Sequence, residues 1–337
     1  MPVNTTLSEY SDLSYVTAIA VYVLALVLHA AENAFGRRAV RRERRAELAA
    51  VGAGATAVTG EDTVEKDRPG RVAEPVGPSL PERLGRMGVA VTVLAVLLHL
   101  ASLVLRGLAT SRVPWGNMYE YISAVCLTAV VAWLVLLFRQ ARGDAPSGQL
   151  RQLGAFVLLP MVLLLFLAGT VLYTEAAPLV PALRSYWIVI HVSAAVIASG
   201  VFLVAGVASV LYLMRARYEA AGREGGGFVS RLPEAAALDR VAYRTTVFAF
   251  PMLTFGIIAG AIWAEAAWGR YWGWDPKETC SFIAWVVYAA YLHARATAGW
   301  RGNRAAWVNI LGFAVTVFNL FFINLVTAGL HSYSGLS

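Results

Sequence analysis

Residues 187–214 read WIVIHVSAAVIASGVFLVAGVASVLYLM and contain no Asp, Glu, Lys or Arg. About 20 consecutive apolar residues suffice for an α-helix to cross the hydrocarbon core of a bilayer. Only helices and closed barrels satisfy every backbone hydrogen bond in lipid, and this stretch lacks the alternation of apolar and polar residues typical of a barrel strand. The stretch therefore predicts a transmembrane helix.

Apolar runs of this kind recur along the chain of 337 residues, which is 58% hydrophobic and only 15% charged. Soluble domains carry about 25% charged residues. We expect about eight membrane spans, near residues 15–35, 87–107, 119–138, 153–172, 187–214, 245–264, 280–297 and 305–327. The predicted fold class is all-α, a polytopic bundle of transmembrane helices joined by short outer loops.

The basic residues are distributed unequally between the two sides of the predicted membrane. If the N-terminus is outside, 23 of the 28 Lys and Arg residues lie on the inner side, in segments 36–86, 139–151, 215–244 and 295–304. An excess of Lys and Arg on the cytoplasmic side is the positive-inside rule, so we predict an N-terminus outside. The same distribution explains the net charge of +7 without nucleic-acid binding.

The chain divides into three predicted regions. Residues 1–35 hold a retained first span. Residues 36–85 begin with an Arg-rich run and continue without periodicity, which predicts a flexible basic linker in the cytoplasm. Residues 86–337 form the main transmembrane domain, with a tryptophan-rich outer loop at residues 263–279.

Two glycines and the two cysteines of the predicted spans are explained by packing and burial alone. Gly256 and Gly260 form a GxxxG pair in the sixth span, a pattern typical of close helix packing. Cys126 and Cys280 lie inside or at the edge of spans and do not form a CxxC pair. We interpret both as ordinary buried thiols rather than as a disulfide or a redox motif.

The five histidines are the main candidates for chemistry. His29, His99 and His293 lie within spans, where ionisable side chains are costly. The predicted topology places His191 and His331 near the outer side, and His29 and His293 at similar depth near the inner side. Two imidazoles from different helices suit the axial positions of six-coordinate heme iron. We predict that these are an outer and an inner ligand pair, and that His99 is structural.

Four of the ten tryptophans lie within residues 263–274, with glycines between them. An aromatic belt at the membrane surface accounts for some of this enrichment, but not for its density. We predict that three of these rings pack on a planar porphyrin: Trp268, Trp272 and Trp274. Asp275 is in a position to cap the following helix. Arg184 and Arg270 are candidates for binding heme propionates, with lipid headgroups as the alternative.

The tryptophan-rich loop also resembles a family signature. The run WGRYWGWDPKE at residues 268–278 resembles the WWD motif of heme-handling proteins, in particular the CcsA/ResC family of system II cytochrome c maturation. Further segments resemble the motifs of that family in the same order: VPWGNMYE at 113–120, WIVIHVS at 187–193, YLHAR at 291–295 and GLHSY at 329–333. The likeness covers residues 87–337 well and the first span loosely.

The resemblance implies a heme-handling subunit of a system II cytochrome c synthase. It implies that His191 and His331 are external ligands of heme b, and that His293 is an intramembrane ligand partnered by His29 or His99. Heme would enter from the cytoplasm, reach the outer pair and be presented for thioether attachment to CxxCH motifs of apocytochrome c. The family also implies a ResB-type membrane partner, with catalysis belonging to the complex and no conventional catalytic residue in this chain.

Three other functions are alternatives to a system II heme-handling subunit. A diheme b-type electron-transfer protein often carries two histidines on one helix, whereas here each histidine has its own span. A heme exporter would release free heme without an apocytochrome. A system I protein shares the tryptophan motif, but the span count and the position of the motif before the last two spans favour system II. Arg outnumbers Lys by 26 to 2, as in GC-rich bacterial genomes, so we predict a bacterial plasma membrane over a thylakoid.

Overall fold

The structure is a computed structural model that describes residues 3–55, 79–141, 148–179, 183–222, 227–297, 299–327 and 329–331. These residues form helices and connecting turns, with no β-strand among them. In chain order the helices are α1 (Thr5–Ala55), α2 (Leu80–Thr110), α3 (Met118–Ala141), α4 (Gly148–Arg151), α5 (Gly154–Thr170), α6 (Tyr186–Ala220), α7 (Ala235–Trp268), α8 (Pro276–Thr297) and α9 (Asn303–Phe318). A 3₁₀ turn (Val229–Arg231) precedes α7, and a π-helical segment (Asn319–Ile323) continues α9.

Six of these helices are long and apolar enough to cross a membrane: α1, α2, α3, α6, α7, and α9 together with its π-helical segment. α5 is apolar but has only 17 residues, and α8 has 22 residues with charged side chains in its first and last turns. These two helices correspond to the other two predicted spans. The predicted all-α polytopic bundle is confirmed, while the outside position of the N-terminus stays a prediction.

Both predicted region boundaries, after residue 35 and after residue 85, fall within helices. α1 continues past the predicted first span to Ala55, and α2 begins at Leu80. The linker predicted at 36–85 therefore overlaps both helices. Its middle part, residues 56–78, lies outside the described residues.

The helices pack around α3 and α6. α1 packs against α2 and α5, α6 packs against α7, α3 and α9, and α8 packs against α9 and α7. Trp133, Met161 and Leu165 lie in the largest hydrophobic core, each at most 1% exposed. Large apolar side chains are also exposed on the outside of the bundle, which is expected for helices that face lipid. Cys126 and Cys280 are buried free thiols, as predicted.

A buried ionic cluster holds the segment between α2 and α3. Glu120, in the first turn of α3, has no exposed surface and accepts hydrogen bonds from Arg106 Nε at 3.1 Å and Arg112 Nη1 at 2.7 Å. The same carboxylate accepts a bond from the N–H of Gly116 at 2.7 Å. Arg106 is 1% exposed and lies 3.6 Å from Asp12 on α1. The cluster therefore folds the connecting loop back over the start of α3.

Candidate functional site

His191 lies in the second turn of α6 and faces α7. Its ring nitrogen Nδ1 is 2.7 Å from the carbonyl oxygen of Gly256. A carbonyl oxygen only accepts hydrogen bonds, so Nδ1 carries the proton and the lone pair of the neutral ring is on Nε2. Metal-ligating histidines are usually oriented in this way, by an acceptor at the nitrogen that does not bind the metal.

Two glycines of α7 allow this approach. A Cβ atom on Gly260 would lie only 2.7 Å from the ring of His191, whereas a Cβ atom on Gly256 would make an ordinary 3.5 Å contact with Ala194. The predicted helix packing thus accounts for Gly256. Gly260 instead provides the space for the imidazole, a function that the sequence interpretation missed because GxxxG spacing does not show which side chain fills the gap.

His331 follows the π-helical segment and is held by Asp275. Its Nδ1 is 2.9 Å from Asp275 Oδ1, and the N–H of Leu330 donates to Asp275 Oδ2 at 2.8 Å. As predicted, Asp275 also caps α8, accepting a bond from the N–H of Lys277 at 3.2 Å. Glu278 Oε2 accepts from the N–H of Asp275 at 3.0 Å, which completes a capping box. One carboxylate therefore sets both the start of α8 and the orientation of His331.

The surroundings favour an ionised Asp275 beside a neutral His331. Burial raises the pKa of the Asp275 carboxyl, but hydrogen bonds from Leu330 and His331 outweigh burial and hold that pKa below its usual value. Burial, and then the positive charge of Lys277, lower the pKa of His331 against the opposing effect of Asp275. A neutral imidazole that donates from Nδ1 to a carboxylate has its lone pair on Nε2. In both His191 and His331, Nε2 is therefore the nitrogen suited to bind a metal.

Trp263 connects the two outer histidines. This residue is 1% exposed and lies near the end of α7. Its ring stacks on His191 with a centroid distance of 6.0 Å, and it meets the ring of His331 edge-on at 5.7 Å. Trp263 is not among the three tryptophans predicted to contact a porphyrin, because the sequence of a regular helix does not show which rings its side chains will meet.

The three tryptophans that were predicted to pack on a porphyrin differ in their position relative to the two histidines. Trp268 contacts the ring of His331 at 5.1 Å, and Trp272 lines the cavity described below. Trp274 does not line the cavity: it is 65% exposed, and its ring packs against Trp272. The backbone of Trp274 is left-handed, with φ of 59°, which is uncommon for a residue with a Cβ atom. The predicted contact of Trp274 with a porphyrin has no support from this geometry.

His191 and His331 line one cavity between α6, α7, α8 and the end of α9. The empty space of the cavity together with its open mouth is about 1440 Å³, and the loop before α3 contributes Trp115 and Gly116 to the wall. Much of the wall is apolar, as is usual for ligand sites, and includes Val192, Ala195, Phe202, Leu253, Ile257 and Ala261. The arrangement suits a large, mostly apolar ligand whose metal accepts nitrogen ligands.

The structure does not bring His29 and His293 together. His29 is fully buried, with its ring 5.4 Å from that of Trp133 on α3 and its Nδ1 3.6 Å from Glu32. Its other close neighbours include residues of α2 and α5. His293 is exposed on α8, which packs against α7 and α9. The inner pair, which was inferred from similar depth, stays a prediction that the packing does not support.

The geometry of His99 agrees with a structural role. Its Nε2 is 2.8 Å from the hydroxyl of Ser123, and its Nδ1 is 3.4 Å from the hydroxyl of Tyr22. The residue is 1% exposed. Because both ring nitrogens have polar partners, His99 is poorly suited to bind iron.

Residues 115–331, which include both outer histidines and the tryptophan-rich loop, match the sequence profile of a family described as Cytochrome C assembly protein. This chain belongs to that family. Similar curated proteins are named cytochrome c biogenesis protein CcsA, which confirms the resemblance seen in the motifs. The relative from Parasynechococcus marenigrum is 38% identical, over 71% of this chain and 84% of the relative. The relative from Guillardia theta is 34% identical, over 74% of this chain and 86% of the relative.

This family member also resembles a solved structure, that of a cytochrome c heme lyase CcmF. The TM-score is 0.55 at 18% identity, and the match covers 100% of this chain and 49% of the solved chain. The chain therefore spans about half the length of that structure, and at this identity the likeness shows the fold alone. Together with the long apolar helices, the comparisons identify a multi-pass membrane protein of the cytochrome c assembly family.

Proposed function

We propose that this chain is the heme-handling subunit of a system II cytochrome c synthase. It would hold heme b between His191 and His331 on the extracytoplasmic side and present it to apocytochrome c. The observation that carries the proposal is that both histidines line one cavity, each with an acceptor at Nδ1 and therefore with the lone pair on Nε2. We place the heme at the outer pair because His29 and His293 lie on helices with different neighbours.

Attachment would add the two thiols of a CxxCH motif across the two vinyl groups of the heme. Each addition forms one C–S bond and transfers the thiol proton to the neighbouring vinyl carbon, with no net transfer of electrons. The contribution of this chain is to bind and orient the porphyrin, since correct positioning alone lowers the barrier to such a reaction. The histidine of the motif would then replace one of the outer histidines on the iron.

The names of the relatives support this proposal, since they describe cytochrome c biogenesis. The connection between α7 and α8 is short, from Gly269 to Asp275. A segment of this size is too small to enclose an apocytochrome. We therefore propose that a ResB-type membrane subunit supplies the rest of the binding surface. We also propose that the complex lies in a bacterial plasma membrane.

The visible spectrum and pyridine hemochrome of the chain, purified from heme-replete membranes with its partner, test the proposal. The parent should carry b-type heme. The His191→Ala/His331→Ala double variant should hold at least about tenfold less heme, because it lacks both axial ligands. The control is Trp307→Ala, which removes an exposed ring of α9 that does not line the cavity and should leave the heme spectrum unchanged.

Two results would count against the proposal. A parent without heme, even with its partner present, would overturn heme handling at this site. Release of free heme on the outer side in the absence of any apocytochrome would favour an exporter instead.

Asp275→Ala is expected to weaken heme binding about tenfold or more, because His331 loses the acceptor that orients it. It should also lower the free energy of unfolding by about 1 kcal/mol through loss of the α8 cap. Ser185→Ala is the matched control, since Ser185 caps α6 by accepting a bond from the N–H of Trp187 at 3.3 Å. Heme titration and thermal unfolding measure the two effects. Equal heme affinity in both variants would contradict an orienting role for Asp275.

A further inference from the structure

One part of the cavity wall is polar. It is formed by the first turns of α8 and by the π-helical segment that continues α9, and its residues are Lys277, Glu278, Ser281, Asn319 and Asn324. π-helical turns occur frequently at functional sites, because they shift the side chains that follow relative to a regular helix. Asn319 begins this segment and Asn324 directly follows it. An irregularity of the backbone therefore positions the two asparagines of this wall, while Lys277 and Ser281 lie on the regular helix α8.

Lys277 is the cation of this wall. It is partly buried, and its Nζ donates to Asn324 Oδ1 at 2.6 Å. The amide of Asn324 is fixed in turn, since its Nδ2 donates to the carbonyl of Leu320 at 2.7 Å. An amide oxygen is a neutral acceptor and does not balance the charge of an ammonium group.

The acidic side chains beside Lys277 in the sequence have other partners. Asp275 accepts bonds from His331 and from the N–H of Leu330. Glu278 pairs with Arg270 at 3.3 Å and accepts a bond from the N–H of Gly273 at 2.9 Å. Among the described residues, no carboxylate lies within ion-pairing distance of Lys277. A cation in a mostly apolar cavity is costly unless an anion accompanies it.

Lys277 shares its cavity with the two proposed ligands. Its side chain lines the same space as His191 and His331. A porphyrin held between the two imidazoles would therefore occupy the cavity that contains this ammonium group.

We propose that Lys277 binds a propionate carboxylate of the heme. This inference rests on the proposed function and adds the orientation of the substrate within the site. The two propionates lie on one edge of heme b and the two vinyl groups on the pyrroles opposite. A propionate fixed at Lys277 stops the porphyrin from rotating about the axis between the two histidines. The vinyl groups are then directed away from the polar wall, where thiols can reach them.

The two arginines suggested by the sequence fit this role less well. Arg184 is exposed and donates to the carbonyl of Leu179 at 3.2 Å. The guanidinium of Arg270 is paired with Glu278 and lies 5.9 Å from the ring of Trp268. Neither residue lines the cavity, whereas Lys277 does.

The test compares heme b with its dimethyl ester, in which both propionates are uncharged. Each is titrated into the full chain, purified heme-free in detergent with its partner, and binding is followed by the heme absorption band. The parent should bind heme b about tenfold more tightly than the diester, as expected for a hydrogen bond to a charged group. Lys277→Met should lose about this factor for heme b and retain its affinity for the diester. Lys277→Arg should retain most of the preference.

Three outcomes would overturn the inference. Equal weakening of both ligands by Lys277→Met would show a merely structural role and overturn the inference. If Lys277→Met kept the preference of the parent for heme b over the diester, the inference would also be overturned. If the parent binds neither ligand, the proposed function fails and the inference fails with it. Met has a similar length and leaves no buried charge at this position, so we expect the variant to fold, and gel filtration checks this.

Discussion

Glu120→Gln is expected to lower the free energy of unfolding by about 3–5 kcal/mol, the usual cost of breaking a buried ion pair by removing one partner. The side chain of Glu120 is completely buried and joins Arg106 to Arg112. Without its charge, Arg106 remains buried at 1% exposure, with Asp12 3.6 Å away as its remaining acidic neighbour. The N–H of Gly116 also faces a weaker acceptor.

Unfolding in detergent, followed by circular dichroism, measures this effect. The matched control is Glu82→Gln, which removes a helix pair with Arg86 at 2.6 Å whose two side chains are 37% and 66% exposed. Pairs of this kind contribute about 0–1 kcal/mol, so the control should change stability little. If the two variants lost equal stability, the ionic cluster would not be what holds the loop before α3. Because Trp115 and Gly116 line the cavity, Glu120→Gln should weaken heme binding as well.

Gly260→Ala is expected to lower heme affinity by about 10–100-fold, the effect typical of disturbing the surroundings of a metal ligand. The added Cβ atom would lie 2.7 Å from the ring of His191, so the ring or the helix must move. A displaced ring loses its bond to the carbonyl of Gly256 and its alignment with the iron. Titration with heme b, together with the spectrum of the bound form, measures the loss.

Gly256→Ala is the control for helix packing. It lies one turn from Gly260 on the same helix, and its added Cβ atom would make only a 3.5 Å contact with Ala194. Alanine is favoured over glycine within a helix by about 1 kcal/mol, so this variant should fold and bind heme like the parent. Equal loss in both variants would indicate that close packing of α6 and α7, rather than space for His191, is what matters.

The sequence was sufficient to locate the helices and to select His191 and His331 together, which line one cavity in the structure. Hydropathy is a property of each segment alone, so the apolar runs located the spans without knowledge of their neighbours. The outer pair followed from topology, because His191 and His331 both lie close to the same end of their spans. The position of Asp275 at the start of the seventh predicted span indicates a helix cap, and the structure adds its bond to His331.

The inner pair shows what the sequence could not provide. Depth in the membrane can be counted from the ends of a span, and it placed His29 and His293 at the same level. Contact also depends on which helices are neighbours and on which side of its helix each residue lies. α1 packs against α2 and α5, and α8 against α7 and α9, so equal depth did not lead to contact.

The sequence also did not show which tryptophans of the tryptophan-rich loop would line the cavity. Trp272 and Trp274 look equivalent in the sequence, but only Trp272 lines the cavity, whereas Trp274 has a left-handed backbone and is 65% exposed. A positive φ at a residue other than glycine is rarely predictable from local sequence, since it is imposed by the surrounding structure. Trp263 was missed for the opposite reason, because it lies on a regular helix and gains its importance only from the rings that meet it.

The two proposed iron ligands differ in the acceptor that holds each ring, a carboxylate for His331 and a main-chain carbonyl for His191. An anionic acceptor raises the basicity of an imidazole more than a neutral one does. The bond from iron to His331 should then be the stronger of the two, and His191 should be the ligand that an incoming histidine replaces first. The donor strength of His331 can also be adjusted by substitution at position 275. That of His191 is set by the backbone of α7, so no side-chain change at position 256 removes its acceptor.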